Sequence, residues 1–214
     1  MFNLASRNLY LCVGVREDLT TFLTQVLRGG VDVVQLREKG LDDDARVKAA
    51  RLVAPICRDF DVPFIMNDSP ELARRVGADG VHVGQEDVSV ARCRELLGEQ
   101  AIVGLSTHSK AEFDQALGQR ATYFSAGPIV ATPTKPGREG TGLQYAVACE
   151  RRSDRPVYVT GGVTSDNVAA LVAAGLRRFV VVRYLTHSRN PETSARALRA
   201  ALDDALSAVA VEPT

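Results

Sequence analysis

The sequence lacks any close pairing of cysteines. Cys12, Cys57, Cys93 and Cys149 stand far apart with no C-x-x-C spacing, which argues against a zinc knuckle or a redox motif and reads as buried, reduced thiols. It lacks net charge as well: 26 Lys and Arg offset 26 Asp and Glu. A broad electropositive surface for nucleic acid is therefore not expected, and any anion site must be local. No apolar run approaches the roughly 20 residues a membrane helix needs, which argues against a membrane role. The opening MFNLASRNLYLCVG carries neither a basic start, nor a long apolar stretch, nor a small-residue cleavage site, so it predicts a cytoplasmic location. Linkers, charge blocks and low-complexity stretches are missing too, and one domain over residues 1–214 is the expectation.

What is present is a rhythm. Short β-branched runs recur at 8–13, 31–36, 63–66, 80–83, 101–105, 122–127, 156–160 and 178–183. Between them lie segments with apolar residues at helical spacing, among them 42–60, 89–98, 164–175 and 191–209. Asp42, the Ser69-Pro70 pair and Pro191-Glu192 are helix-start signals. Gly29, Gly77, Gly98 and Gly175 stand where a left-handed stop would end a helix. Eight strand–helix units favour a (β/α)8 TIM barrel over a doubly wound sheet, the alternative. The one long irregular piece, ATPTKPGREGTG at about 131–142, reads as a mobile active-site loop.

Chemistry in such barrels sits at the C-terminal ends of the strands. In VDVVQLREKG the alternation of an extended chain puts Val33, Gln35, Arg37 and Lys39 on one face, which turns from apolar to cationic within a few residues. The third strand ends in Asn67 and Asp68, and the fourth leads to Asp87. Two carboxylates on neighbouring strand tops suit a hard divalent cation that shares a phosphate ligand; each could instead cap the helix that follows. His82, inside its strand, reads as a structural residue with its hydrogen bonds met. Ser106, Thr107 and His108 reach the rim, but no strand–turn–helix nucleophile elbow surrounds Ser106, so a polar ligand contact is the better reading. Thr132, Thr134 and Lys135 crowd hydroxyls and an ammonium between prolines, which suits an oxyanion. Gly161 and Gly162 end the seventh strand, and Val182 and Arg183 end the eighth, where barrels of this kind often build a phosphate site from backbone N–H groups. Two anion regions result: Arg37, Lys39 and Lys135 with a Mg2+ in one, and the Gly162 and Val182 loops with Thr132 and Thr134 in the other.

In order and spacing, QLREK (35–39), ND (67–68), GVHVGQED (80–87), GLSTHS (104–109), GPIVATPTKPG (127–137), GGV (161–163) and VVV (180–182) resemble the motifs of the thiamine phosphate synthase family, across nearly the whole chain. The resemblance implies an enzyme that joins 4-amino-5-hydroxymethyl-2-methylpyrimidine diphosphate to 4-methyl-5-(2-hydroxyethyl)thiazole phosphate, giving thiamine phosphate and pyrophosphate with Mg2+. By motif it implies that Gln35, Arg37, Lys39, Asn67, Ser106 and Lys135 hold the pyrimidine diphosphate and that Asp68 and Asp87 bind the metal. It implies further that Thr132, Thr134, Gly162, Val182 and Arg183 hold the thiazole phosphate. Many members carry Ser-Ala where this chain has Arg183-Tyr184, so only backbone contacts transfer there. The rival readings are a thiazole tautomerase-like isomerase, which would leave the carboxylates and Lys135 idle, and a non-catalytic phosphate-binding barrel. The expected partners are the two small-molecule substrates, with no nucleic acid and no membrane; assembly into a homo-oligomer is left open.

Overall fold

The computed structural model describes residues 2–133 and 139–211. Its eight strands are β1 (Leu9–Val13), β2 (Val33–Leu36), β3 (Phe64–Asn67), β4 (Gly80–Val83), β5 (Ile102–Thr107), β6 (Tyr123–Ala126), β7 (Val157–Thr160) and β8 (Arg178–Val181). They pair in parallel, in sequence order, as a closed barrel. Leu9 pairs with Phe179 and Leu11 with Val181, so β1 meets β8 and the doubly wound alternative is ruled out. Around the barrel run α1 (Leu19–Arg28), α2 (Asp43–Asp59), α3 (Pro70–Val76), α4 (Val90–Leu97), α5 (Lys110–Leu117), α6 (Leu143–Arg152), α7 (Val168–Ala173), the single turn α8 (Arg183–Thr186) and α9 (Pro191–Val211).

Local chemistry explains where the helices start. Asp42 accepts from the Ala45 amide at 2.8 Å, and Ser69 and Ser89 accept from the Leu72 and Arg92 amides, each at 3.2 Å, so each cap meets one of the orphan donors of a first turn. One expected stop is displaced: Gly29 has φ −78°, an ordinary right-handed value, and the positive φ of 101° falls on Gly30. Gly29 is small for packing, since a Cβ there would lie 2.5 Å from the Ala195 Cβ of α9. Residues 134–138 of the expected mobile loop lie outside the described residues.

The strands divide their side chains by alternation. Leu9, Leu11, Val34, Leu36, Met66, Val81, Phe124, Val159 and Phe179 face outward and pack under the helices in the main core. Tyr10, Val33, Ile65, Ile102, Tyr123 and Tyr158 face inward and fill the lower barrel, which Leu4 closes from below. Tyr158 donates its hydroxyl to the Arg7 carbonyl at 2.9 Å, so its polar end is met on that side. Gly104 makes room for the middle of the barrel: a Cβ there would sit 2.2 Å from the Tyr123 ring and 2.4 Å from His82 Nδ1. Above this layer the inward positions turn polar, through Gln35, Asn67, His82, Ser106 and Ser125, all buried.

Candidate active site

A mouth opens at the C-terminal ends of the strands, over a cavity of about 750 Å3. That is within the range of small-molecule sites, roughly 300–1,000 Å3.

One wall comes from β2 to β5. Gln35, Arg37, Lys39, Asn67, Asp68 and Asp87 all line it. β2 ends at Leu36, so strand alternation accounts for Gln35 alone; Arg37 and Lys39 belong to the loop beyond, where the Arg37 amide still donates to the Val13 carbonyl at 2.8 Å. Since Ser69 and Ser89 cap α3 and α4, neither Asp68 nor Asp87 has that duty, and the capping alternative falls away. Asp68 sits in the left-handed region at φ 62°, which Asp tolerates better than most residues, with its amide donating to the His82 carbonyl at 2.8 Å. Its carboxylate pairs with Lys39 Nζ at 3.1 Å. Burial raises the Asp68 carboxyl above the usual carboxylate range, the Lys39 contact pulls the other way, and the neighbouring Asp87 charge raises it further. Asp87 is held from behind by the Gly84 amide, which donates to Oδ2 at 2.7 Å. Two acids crowd one spot with one lysine against them.

The opposite wall comes from β6 to β8 and is built mainly of backbone and hydroxyls. Thr132, Gly162, Val182 and Arg183 line it, beside Gly161 and Thr164. Gly161 and Gly162 take φ 104° and 73°, which brings the chain close to Pro128 and Val130. Asn167 secures this turn: its side-chain amide donates to the Gly162 carbonyl at 2.8 Å and its oxygen accepts from the Thr164 amide at 3.0 Å. The Arg183-Tyr184 departure has a structural role, because Tyr184 donates to Ser165 Oγ at 2.9 Å and ties the β8 loop to the β7 loop. Thr134 and Lys135 lie outside the described residues.

The cavity floor is what strand-end reading missed. Ser106 reaches the cavity, but Thr107 does not: it is fully buried on the outer side, donating to the Ser125 carbonyl at 3.1 Å. His108 pairs with Glu112 at 3.0 Å. His82 has its hydrogen bonds met as expected, by Tyr123 and Ser106, yet it also lines the cavity with Tyr10, Cys12 and Ser125. Strand alternation in LYLCV and YFSA carries that signal, because it turns Tyr10, Cys12, Tyr123 and Ser125 toward the face that holds Gln35.

Comparison with known proteins agrees with this geometry. A family model described as thiamine monophosphate synthase matches residues 9–185. The chain is similar to the thiamine-phosphate synthase of Acidothermus cellulolyticus, 39% identical over 205 residues that cover 94% of this chain and 97% of that protein. It is also similar to the thiamine-phosphate synthase of Nostoc punctiforme, 38% identical over 183 residues that cover 86% of this chain and 52% of that protein. The chain thus spans about half the length of some curated relatives it matches and nearly all of another. In fold it is similar to a thiamine phosphate pyrophosphorylase from Pyrococcus furiosus, with a TM-score of 0.85 at 23% identity, covering 93% of this chain and 96% of that one. With the family model spanning the barrel from β1 into α8, and relatives this similar over most of its length, the chain belongs to the thiamine monophosphate synthase family.

Proposed function

We propose that this chain is a thiamine phosphate synthase: it couples 4-amino-5-hydroxymethyl-2-methylpyrimidine diphosphate with 4-methyl-5-(2-hydroxyethyl)thiazole phosphate and releases pyrophosphate. The observation that carries the reading is the division of one cavity into a wall of charges and a wall of glycines and hydroxyls. A diphosphate needs the first, and a phosphate monoester suits the second. The names of the relatives support the same activity.

In this reading the C–O bond to the diphosphate breaks, a pyrimidine-methyl cation forms, and the thiazole nitrogen captures it. Such a step asks the protein to stabilise departing negative charge rather than to supply a nucleophile. Arg37 and Lys39 face the diphosphate, and Lys135 is assigned to it with them. Gln35, Asn67 and Ser106 orient the pyrimidine, while the turn at Gly162 and the residues Thr132, Thr134, Val182 and Arg183 hold the thiazole phosphate. The crowding of Asp68 and Asp87, with the Asp68 carboxyl raised partly by its neighbour's charge, fits a divalent cation. These two residues would hold Mg2+, which when bound supplies positive charge to the leaving group. The barrel works as one catalytic unit in a cytoplasmic setting, on small molecules alone.

The test is incubation with both substrates and Mg2+, with and without chelator, following thiamine phosphate and pyrophosphate together beside an Asp87→Ala variant. Metal-dependent release of both products, lost in the variant, is the expected result. Binding of the thiazole phosphate without either product would overturn the reading in favour of the isomerase or the non-catalytic phosphate-binding barrel.

A further inference from the structure

Seven buried or cavity-lining side chains from β1, β2, β4, β5 and β6 form one connected series across the cavity floor. Cys12 Sγ donates to Gln35 Oε1 at 3.2 Å, and Gln35 Nε2 donates to Tyr10 Oη at 2.9 Å. Tyr10 Oη lies 2.8 Å from Tyr123 Oη, which lies 2.9 Å from His82 Nδ1. His82 Nε2 lies 2.8 Å from Ser106 Oγ, which lies 3.2 Å from Ser125 Oγ.

Counting hydrogens assigns a direction to this series. Gln35 already donates to Tyr10, so the two phenols hold one hydrogen each and share one contact. A proton on His82 Nδ1 would donate to Tyr123, and one phenol hydrogen would then have no acceptor along the series, inside a layer where Tyr10 and Tyr123 are fully buried. A proton on Nε2 removes the conflict. Tyr10 donates to Tyr123, Tyr123 donates to His82 Nδ1, and His82 Nε2 donates to Ser106. Ser106 and Ser125 then hold two hydroxyl hydrogens between them and use one on each other. The second is left for the cavity, which both serines line. The reverse tautomer would spend the Ser106 hydrogen on His82 and the Ser125 hydrogen on Ser106, so the serine pair would offer the cavity lone pairs only.

We propose that Gln35, Tyr10 and Tyr123 are positioning residues that lock His82 in its Nε2–H tautomer. The serine pair thereby offers one O–H donor to an acceptor on the ligand ring, such as an unprotonated heteroaromatic nitrogen. The ligand half rests on the substrate reading above; the tautomer half stands on the protein alone. Ser125 enters the site as a ring-contacting residue beside Ser106. Gly104 keeps the path open, since any side chain there would meet His82 and Tyr123, whose rings stack at 5.4 Å and 27°.

The tautomer is measured directly in the full chain, without ligand, by long-range 1H–15N correlation. The chain has three histidines, and spectra of His108→Gln and His187→Gln assign the His82 signals by elimination. A pyridine-type Nδ1 and a pyrrole-type Nε2 are expected; a pyrrole-type Nδ1 overturns the proposal. In Tyr123→Phe both tautomers are expected, and retention of Nε2–H alone would show that the phenol does not hold the ring. Calorimetry then tests the donor in Ser106→Ala/Ser125→Ala. The pyrimidine diphosphate should bind about tenfold more weakly, the size of one lost hydrogen bond, while inorganic pyrophosphate binds as before. Equal weakening of both probes would overturn the ring contact. If the unaltered chain bound pyrophosphate and not the pyrimidine diphosphate, the ligand assignment would fall while the tautomer result still judged the positioning series.

Discussion

The two faces of the same eight strands behave as different materials. Outward, Leu11, Val34, Met66, Leu105, Phe124 and Phe179 meet the helices with apolar surface only. Inward, the barrel begins with aromatic and aliphatic filling around Tyr10, Tyr123 and Tyr158 and ends, a residue or two higher, in amide, imidazole, hydroxyl and carboxylate groups. The contrast teaches how a barrel separates its tasks. Closure and stability depend on the outer face, which every strand supplies in the same way; chemistry depends on the upper inner face, where each strand differs.

That separation can be broken at both ends. Leu11→Ala cuts into the outer core and should cost about 2–5 kcal/mol of unfolding free energy, read by denaturant titration, while KM for both substrates stays near its original value. Lys135→Ala should do the opposite: kcat falls by about 100- to 1,000-fold, the loss typical of one preorganised charge or donor, with an unchanged unfolding midpoint. Gly162→Ala sharpens the contrast between the two walls. Its φ of 73° strains any side chain by about 1–2 kcal/mol, so the KM for the thiazole phosphate should rise with little change for the pyrimidine diphosphate.

The smallest effect concerns Asp68, and it has an inverted sign. Its carboxyl is raised in the folded chain, so between its unfolded and folded values the native state binds more protons, and stability falls as pH rises through that window. Asp68→Asn removes the cost and keeps a residue that accepts a positive φ. Thermal melts from acidic to neutral pH should show the variant losing less stability than the parent as pH rises. A variant that is less stable at neutral pH would show that the Lys39 pair outweighs burial.

Much of the barrel was legible because each strand repeats one outer-face pattern. The runs at 80–83 and 178–183 correspond to β4 (Gly80–Val83) and β8 (Arg178–Val181), and of the strand ends read from the sequence Gln35, Asn67, Ser106 and Gly162 line the cavity while Thr107 does not. The floor was harder to read. Tyr10 and Tyr123 stand 113 residues apart, and each taken singly looks like ordinary strand filling. Their meaning depends on Gly104, whose missing side chain lets a phenol and an imidazole touch. Gly29 misled for a related reason: its small size serves a contact with Ala195, far along the chain, rather than its own helix end. Periodicity reports which face a residue occupies; which residue it meets there depends on closure.

The tyrosines inside the barrel also have an optical consequence. The chain has no tryptophan and five tyrosines, so its ultraviolet emission is tyrosine emission. Tyr10, Tyr123 and Tyr158 stack edge-on or tilted with centroids 5.1 to 5.9 Å apart, directly beneath the site. Near-ultraviolet dichroism and fluorescence of the unlabelled protein therefore view the cavity floor from within, and occupancy of the site can be followed by a signal the protein already carries.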